Sequence, residues 1–241
     1  MTPRGGLTAP TFTSTLTVEL IEAAGDDQSA CRAARVSTGA DLAEHSDKAN
    51  AGLIGYLVQH RHGSPFEHNL FTFRIAAPIF VFREFMRHRI GFSYNEISGR
   101  YAKLAPKFYA YPEGRPLVQA GSSAHPDLSA GDAPQAATVA EELDWAYTVC
   151  WDSYERMLAA GIANEVARAV LPVGIFSEMY VTCNARSLMA FLSLRIDSPD
   201  NQRETKPQWE IQNVAEQMEA IFAERMPATH AAFVRNGRVA P

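Results

Sequence analysis

Cysteine, phosphate-cradling glycine loops and long apolar runs are all in short supply in this chain. Its 241 residues hold three cysteines, Cys31, Cys150 and Cys183, far apart and with no CxxC pair. That excludes a zinc ribbon, a dithiol redox motif and a secreted disulfide framework, and it points to a reducing cytoplasm. No Walker or Rossmann loop is present, so a dinucleotide would need a site of another kind. There is no GxSxG elbow either. The longest apolar run, residues 75–82, is too short to cross a bilayer and contains Pro78. Residues 1–15 lack the apolar core of a leader peptide. No membrane segment is expected, and the location expected is cytoplasmic.

What is there is an ordinary folded composition, with 46% hydrophobic, 20% charged and 10% aromatic residues. One compact domain with a real core fits this length. The net charge of −5 argues against a chain that coats nucleic acid or an anionic membrane. Charge is unevenly placed, however. Residues 83–107 carry Arg83, Arg87, Arg89, Arg100, Lys103 and Lys107 against Glu84 and Glu96. This basic island in an acidic chain suits a small anionic ligand better than a polymer.

Alternation of polar and apolar residues predicts strands over 14–21 and 70–77, with an extended segment or strand over 176–182. Helices are expected over 26–37, 47–60, 79–89, 136–160, 164–171, 186–195 and 208–225, with a short one after Pro227. Pro78 suits a first helical turn because its missing N–H is not needed there. Residues 93–103 read as a structured loop, and 112–134, rich in Pro, Gly and Ser, as a surface excursion. The fold expected is α+β, helices packed around a small, mostly antiparallel sheet in a single domain over 1–241.

The densest chemistry lies in FMRHRIGFSYNEISGRY (85–101). On the expected helix Arg83, Glu84, Arg87 and His88 share one face, which would be a solvated end favoured by the macrodipole were it not for the loop that follows. There Ser93, Asn95, Glu96, Ser98, Gly99 and Arg100 gather groups able to bind a phosphate, with Glu96 or Asn95 meeting sugar or base. In NEVARAVLP, Glu165 is spaced to pair with Arg168. In NARSLMAFLSLR, residues Asn184, Leu188, Phe191 and Arg195 share a stripe about 16 Å long, suited to an aromatic ligand or simply to core packing under a snorkelling Arg195. HGSPFEH (62–68) invites a metal reading, but its spacing matches no zinc pattern and Pro65 breaks the helix such a site would use. No metal is expected. The cysteines lack a neighbouring His or Arg that would activate a thiolate, and Cys183 reads as a small apolar residue.

These motifs, in their order and spacing from ARVS (34–37) through HGSPFEH, APIFVFREFMRHR, SYNEISGRY, EVARAVLP and NARSLMAFL to Arg195 and QWEI, resemble the flavin-dependent thymidylate synthases. The family pattern is Arg-His-Arg, seven residues, then Ser; here eight residues separate Arg89 from Ser98, an insertion expected as a bulge near Gly91 and Phe92. The resemblance implies reductive methylation of dUMP to dTMP, with 5,10-methylenetetrahydrofolate as carbon donor and NADPH, through FAD, as hydride source. It implies FAD contacts from Ser64, Arg87, His88, Arg89, Glu96, Asn184 and Arg186, with Ser37 and Glu67 as weaker candidates. It places Glu84, Arg87, Glu96, Ser98, Gly99, Arg100 and Arg168 on dUMP, with Arg195 as the catalytic group that promotes ionisation of the pyrimidine. It also implies a homotetramer with sites at subunit interfaces. Ala190 stands where many members carry a polar residue, and 197–207 is longer than the usual link to QWEI. The competing reading is a module that grips nucleotide or RNA phosphate without catalysis.

Overall fold

In the computed structural model, which describes residues 8–40, 44–122 and 125–241, the chain begins with β1 (Thr11–Thr13), β2 (Thr17–Ala24), α1 (Asp27–Arg35) and α2 (Asp47–Gln59). Then come β3 (Leu70–Pro78), α3 (Ile79–Phe85), β4 (Phe92–Glu96), β5 (Lys107–Tyr109), β6 (Val118–Ser122), β7 (His125–Ser129) and α4 (Ala133–Ala159). The chain closes with α5 (Asn164–Ala167), β8 (Phe176–Cys183), α6 (Ala185–Arg195), α7 (Trp209–Arg225) and α8 (Pro227–Arg235). The class is α+β, as the periodicity predicts. A four-stranded sheet runs β2-β3-β8-β4; β6 and β7 form an antiparallel pair, and β1 with β5 a parallel one.

The chain divides into two compact units. The first comprises Met1–Thr15, Ala76–Arg83 and Glu96–Glu178. Its core is aromatic: Phe108, Tyr147, Trp151 and Tyr154 pack with Ala167 and Ile175, and Phe108 stacks on Tyr147 at 4.9 Å between centroids. Trp151 donates to the Thr8 carbonyl at 2.8 Å, while Thr8 N–H and Lys103 both reach the buried Glu155 carboxylate at 2.7 Å. Burial alone would raise that carboxyl, but the bonds from Lys103 and Thr8 outweigh it and hold it below the ordinary range.

The second unit comprises Leu16–Ile75, Glu84–Asn95 and Met179–Pro241. Phe71, Phe73, Phe85, Phe191 and Phe222 are fully buried in it, and Phe85 stacks on Phe191 at 4.9 Å. Asp27 ties two helices together. Its carboxylate accepts from Ala228 N–H, Thr229 N–H and the Thr229 hydroxyl at 2.6–2.9 Å, meeting donors that the start of α8 leaves open.

Several expected boundaries need correction. The first long strand is displaced by three residues toward Ala24. The helix expected over 79–89 ends at Phe85, because the Tyr94 hydroxyl sits 2.8 Å from the Phe85 carbonyl and 2.6 Å from that of His88, capturing the chain there. Arg87 and His88 are therefore not on a helical face. The loop expected over 93–103 holds β4, in which Phe92 and Tyr94 alternate with Ser93 and Asn95. The stretch 112–134 carries the β6–β7 hairpin and the first turn of α4; its residues 123–124 lie outside the described residues, as do 1–7 of the N-terminal stretch. The helix expected over 164–171 is one short α-turn followed by a 3₁₀ turn over Arg168–Val170.

Replacing Asp27 by Ala should destabilise the fold by about 1–3 kcal/mol, since it leaves the buried Thr229 hydroxyl and two helix N–H groups unpaired. Urea denaturation checks this, and an unchanged midpoint would contradict it.

Candidate active site

In the first unit, a cleft of about 370 Å³ lies between the start of α3, the turn after β4 and the segment that follows α5. Its frame is backbone: Ile79 and Phe80 N–H donate to the carbonyls of Ile175 and Val173 at 3.0 Å, and Ile97 N–H to that of Glu178 at 2.9 Å. Glu96, Ser98, Gly99 and Arg168, all predicted from sequence, line it together. A Cβ on Gly99 would lie 3.1 Å from Leu104 and 3.4 Å from the Arg168 stem. Glycine lets the Leu104 side chain in particular lie close against the turn. Burial raises the Glu96 carboxyl, and nearby Ser177 only partly offsets this. Ser177 is 5% exposed, with its hydroxyl beside the Glu96 carboxylate.

Arg100 and Arg168 differ in their commitments. The expected Glu165–Arg168 pair does not form; Glu165 instead holds Arg100 at 2.8 Å. Arg168 still follows Glu165 by one helical turn, but the carboxylate is taken by Arg100 from the turn after β4. Among the described residues the Arg168 guanidinium has no hydrogen-bond or carboxylate partner, and so faces the cleft with its charge available.

In the second unit Arg195, at the end of α6, meets two other predicted residues. Its Nη1 lies 2.6 Å from Glu84 Oε2, its Nη2 3.2 Å from the Glu84 carbonyl and its Nε 3.0 Å from His88 Nε2. The Arg195 side chain is 16% exposed and that of Glu84 35%. Arg195 Nε is a donor, so His88 Nε2 accepts and its proton sits on Nδ1. Burial, with the Arg195 charge second, pushes His88 down to about 4. The imidazole is thus neutral near pH 7, and Phe191 packs edge-on beneath it at 4.8 Å.

Two further pockets in this unit share Ile90, Ser187 and Ala190. One, of about 260 Å³, includes Arg87, His88 and Arg89; the other, of about 570 Å³, includes Glu67, Asn184 and Arg186. Arg87 and Arg89 have no side-chain partner among the described residues. Asn184 caps α6 by accepting from Ser187 N–H at 2.8 Å. Arg186 is held by Glu67 at 2.5 Å and by the Pro241 carbonyl at 2.8 Å. The inserted residue near Gly91 is accommodated as a left-handed turn, φ 69°, where a Cβ would overlap the Ser187 hydroxyl. Free guanidiniums, a helix start and a cradle that a side chain would fill are what the phosphates of FAD require. The residues fit the group. Ser64 and Ser37 line neither pocket; the Ser37 hydroxyl donates to the Ala34 carbonyl.

Sequence reasoning gave no site role to Arg83, Ser177, Ser187 or the Ala240–Pro241 segment, each of which lines one of these pockets. Arg83 was legible in principle as the residue one turn beyond Ile79. Cys183 is buried and its thiol pushed up by that burial, which agrees with its expected apolar role.

Clefts lined by arginines that are unpaired among the described residues define a protein suited to small anionic ligands, and its similarity to known proteins identifies the family. The crystal structure of a UMP/dUMP methylase, PolB from Streptomyces cacaoi, bound with 5-Br UMP superposes with a TM-score of 0.90 at 44% identity, covering 97% of this chain and 100% of that one. The family described as thymidylate synthase complementing protein matches residues 19–228. Flavin-dependent thymidylate synthases of Streptomyces avermitilis and Tropheryma whipplei are 52% and 48% identical over 236 and 235 residues, with 96% of this chain covered in each case and 96% and 98% of the relatives. The chain belongs to the flavin-dependent thymidylate synthase family.

The depressed His88 makes a prediction about pH. Folding keeps the ring neutral, so this contribution to stability is complete above about pH 6.5 and is lost as pH falls toward about 4. A His88→Gln variant should lose less stability than the parent across that window, read from urea midpoints. Parallel pH profiles would contradict the assignment.

Proposed function

We propose that the chain converts dUMP to dTMP by reductive methylation, taking its carbon from 5,10-methylenetetrahydrofolate and its hydride from NADPH through FAD. The observation that carries this reading is the presence of anion-binding clefts with unpaired arginines in a protein whose buried Cys183 is no thiolate nucleophile. A bound flavin supplies the hydride, which removes the need for thiolate addition to uracil.

In this reading Arg87, Arg89, Asn184 and Arg186 hold the flavin's polar groups, with His88 beside them and Glu67 keeping Arg186 in place. Ser64 and Ser37 are outer candidates, and Glu96 adds an acceptor toward flavin or nucleotide. Ser98, Gly99, Arg100 and Arg168 receive the phosphate of dUMP, Arg100 after leaving Glu165. Arg195 faces the pyrimidine, with Glu84 and Arg87 at its side. A fixed cation there stabilises negative charge as it develops on the ring, without reorganisation at the moment of reaction. Glu84 and neutral His88 orient the guanidinium and leave its proton in place.

We take the assembly to be a homotetramer, one flavin-dependent thymidylate synthase-like domain spanning 1–241 in each subunit and working in the cytoplasm. Exposed Ile90, Tyr101 and Trp145, at 90%, 76% and 61%, are apolar surface that such contacts would cover. Among the described residues no helix is long and apolar enough to cross a membrane.

Arg195→Ala should lower dTMP formation by about 100-fold or more with flavin still bound, while Cys183→Ala should change turnover little. Radiolabelled dUMP turnover measures both. Full activity in the Arg195 variant would remove that residue from the mechanism, and inactivity in a folded Cys183 variant would revive a thiolate route.

A further inference from the structure

Arg83 lines the same cleft as Ser98, Gly99 and Arg168, yet nothing in the family pattern carried over above gives it a role. Its placement is fixed by the fold. It lies four residues after Ile79, so both project from one face of α3, and both line the cleft. The start of α3 is pinned to the opposite wall by the Ile79–Ile175 and Phe80–Val173 backbone bonds, each 3.0 Å. Among the described residues the Arg83 guanidinium has no hydrogen-bond or carboxylate partner.

A surface arginine in the last turn of a helix has an ordinary explanation in the macrodipole. That does not account for its company. Arg168, also without a partner among the described residues, lines the same small cleft, and so does the buried Ser177, whose hydroxyl lies beside Glu96. Among the described residues the one carboxylate lining the cleft, Glu96, is raised by burial and pairs with neither guanidinium, so an anion placed between the two arginines would relieve their repulsion. A phosphomonoester near neutral pH carries close to two negative charges and three acceptor oxygens, and each planar fork can donate to it twice. Arg100, the more obvious cation from sequence, is already neutralised by Glu165 at 2.8 Å.

We propose that Arg83 is a direct ligand of the 5′-phosphate of the nucleotide substrate, clamping it opposite Arg168 above the Ser98–Gly99 turn. This rests on the cleft being the nucleotide site of the reading above. Because the phosphate takes no part in the chemistry at the ring, this contact acts equally on bound substrate and transition state. Its loss should appear in KM and not in kcat.

The test is calorimetric titration of flavin-loaded protein with dUMP and with deoxyuridine, which lacks the phosphate, for the parent, Arg83→Ala and Arg83→Lys. Steady-state kinetics and FAD affinity complete it. The expected result is dUMP binding weakened by about 10- to 100-fold in Arg83→Ala. Deoxyuridine and FAD binding, and kcat, should be unchanged, with Arg83→Lys recovering part of the loss through charge without the fork. Equal weakening of dUMP and deoxyuridine, unchanged dUMP binding, or a loss confined to FAD would each overturn the proposal while leaving the nucleotide site standing. A parent protein that binds neither dUMP nor deoxyuridine would instead overturn the site itself.

Discussion

The Tyr94 hydroxyl, lying against the carbonyls of Phe85 and His88, is the contact on which the cofactor side of this molecule depends. A helix that ran on through Arg89 would stack Arg87, His88 and Arg89 along its own turns. Ended at Phe85, the chain instead turns residues 87–92 toward α6. There His88 reaches Arg195 and packs on Phe191, Arg87 and Arg89 line a pocket, and Gly91 fits against Ser187 where a side chain could not. The burial that serves this contact also pushes the Tyr94 hydroxyl up, so it remains protonated and able to donate.

Charge is handled by selective pairing. The chain is acidic overall, and it has carboxylates enough to neutralise every arginine. It places them on Arg100, Arg186 and Arg195 through Glu165, Glu67 and Glu84. Among the described residues, Arg83, Arg87, Arg89 and Arg168 go without. The paired cations are fixed in position by their carboxylates, and the unpaired ones keep their field for a ligand. Surface pairs contribute little to stability, so the pattern is better understood as positioning than as stabilisation. His88 fits the same scheme: kept neutral by burial and by Arg195, it accepts a hydrogen bond without adding a repelling charge.

Much of this was legible before any coordinates. Capping residues and apolar periodicity located α1, α2, α6 and α7 to within a residue or two, because those helices satisfy their own periods. Where a distant group intervenes, sequence reading failed. The end of α3 is set by Tyr94 from the next strand, and β4 was hidden by the assumption that polar residues in a loop mean no ladder. The parallel β1–β5 pair joins segments nearly a hundred residues apart, with three residues on each side, too few for a periodicity to show. In the site, motif residues such as Arg195, Glu84 and His88 were found, but who pairs with whom was not. Glu165 pairs with Arg100, brought in from a segment 65 residues away, and not with Arg168 one turn on, which spacing alone does not reveal. Arg83 was read as part of the basic island but given no site role, because a basic residue near a helix end has an adequate local explanation; its lack of a partner among the described residues, in a shared cleft, sets it apart.

In the reading proposed above, the pockets around Arg87, Arg89 and Arg186 hold a flavin that responds to the bound nucleotide. The most direct measurement is the visible absorption spectrum of the purified protein, with FAD supplied and then with dUMP added. The account predicts a protein-bound flavin spectrum that shifts on adding dUMP. A protein that takes up no FAD, or a bound flavin indifferent to saturating dUMP, would contradict it.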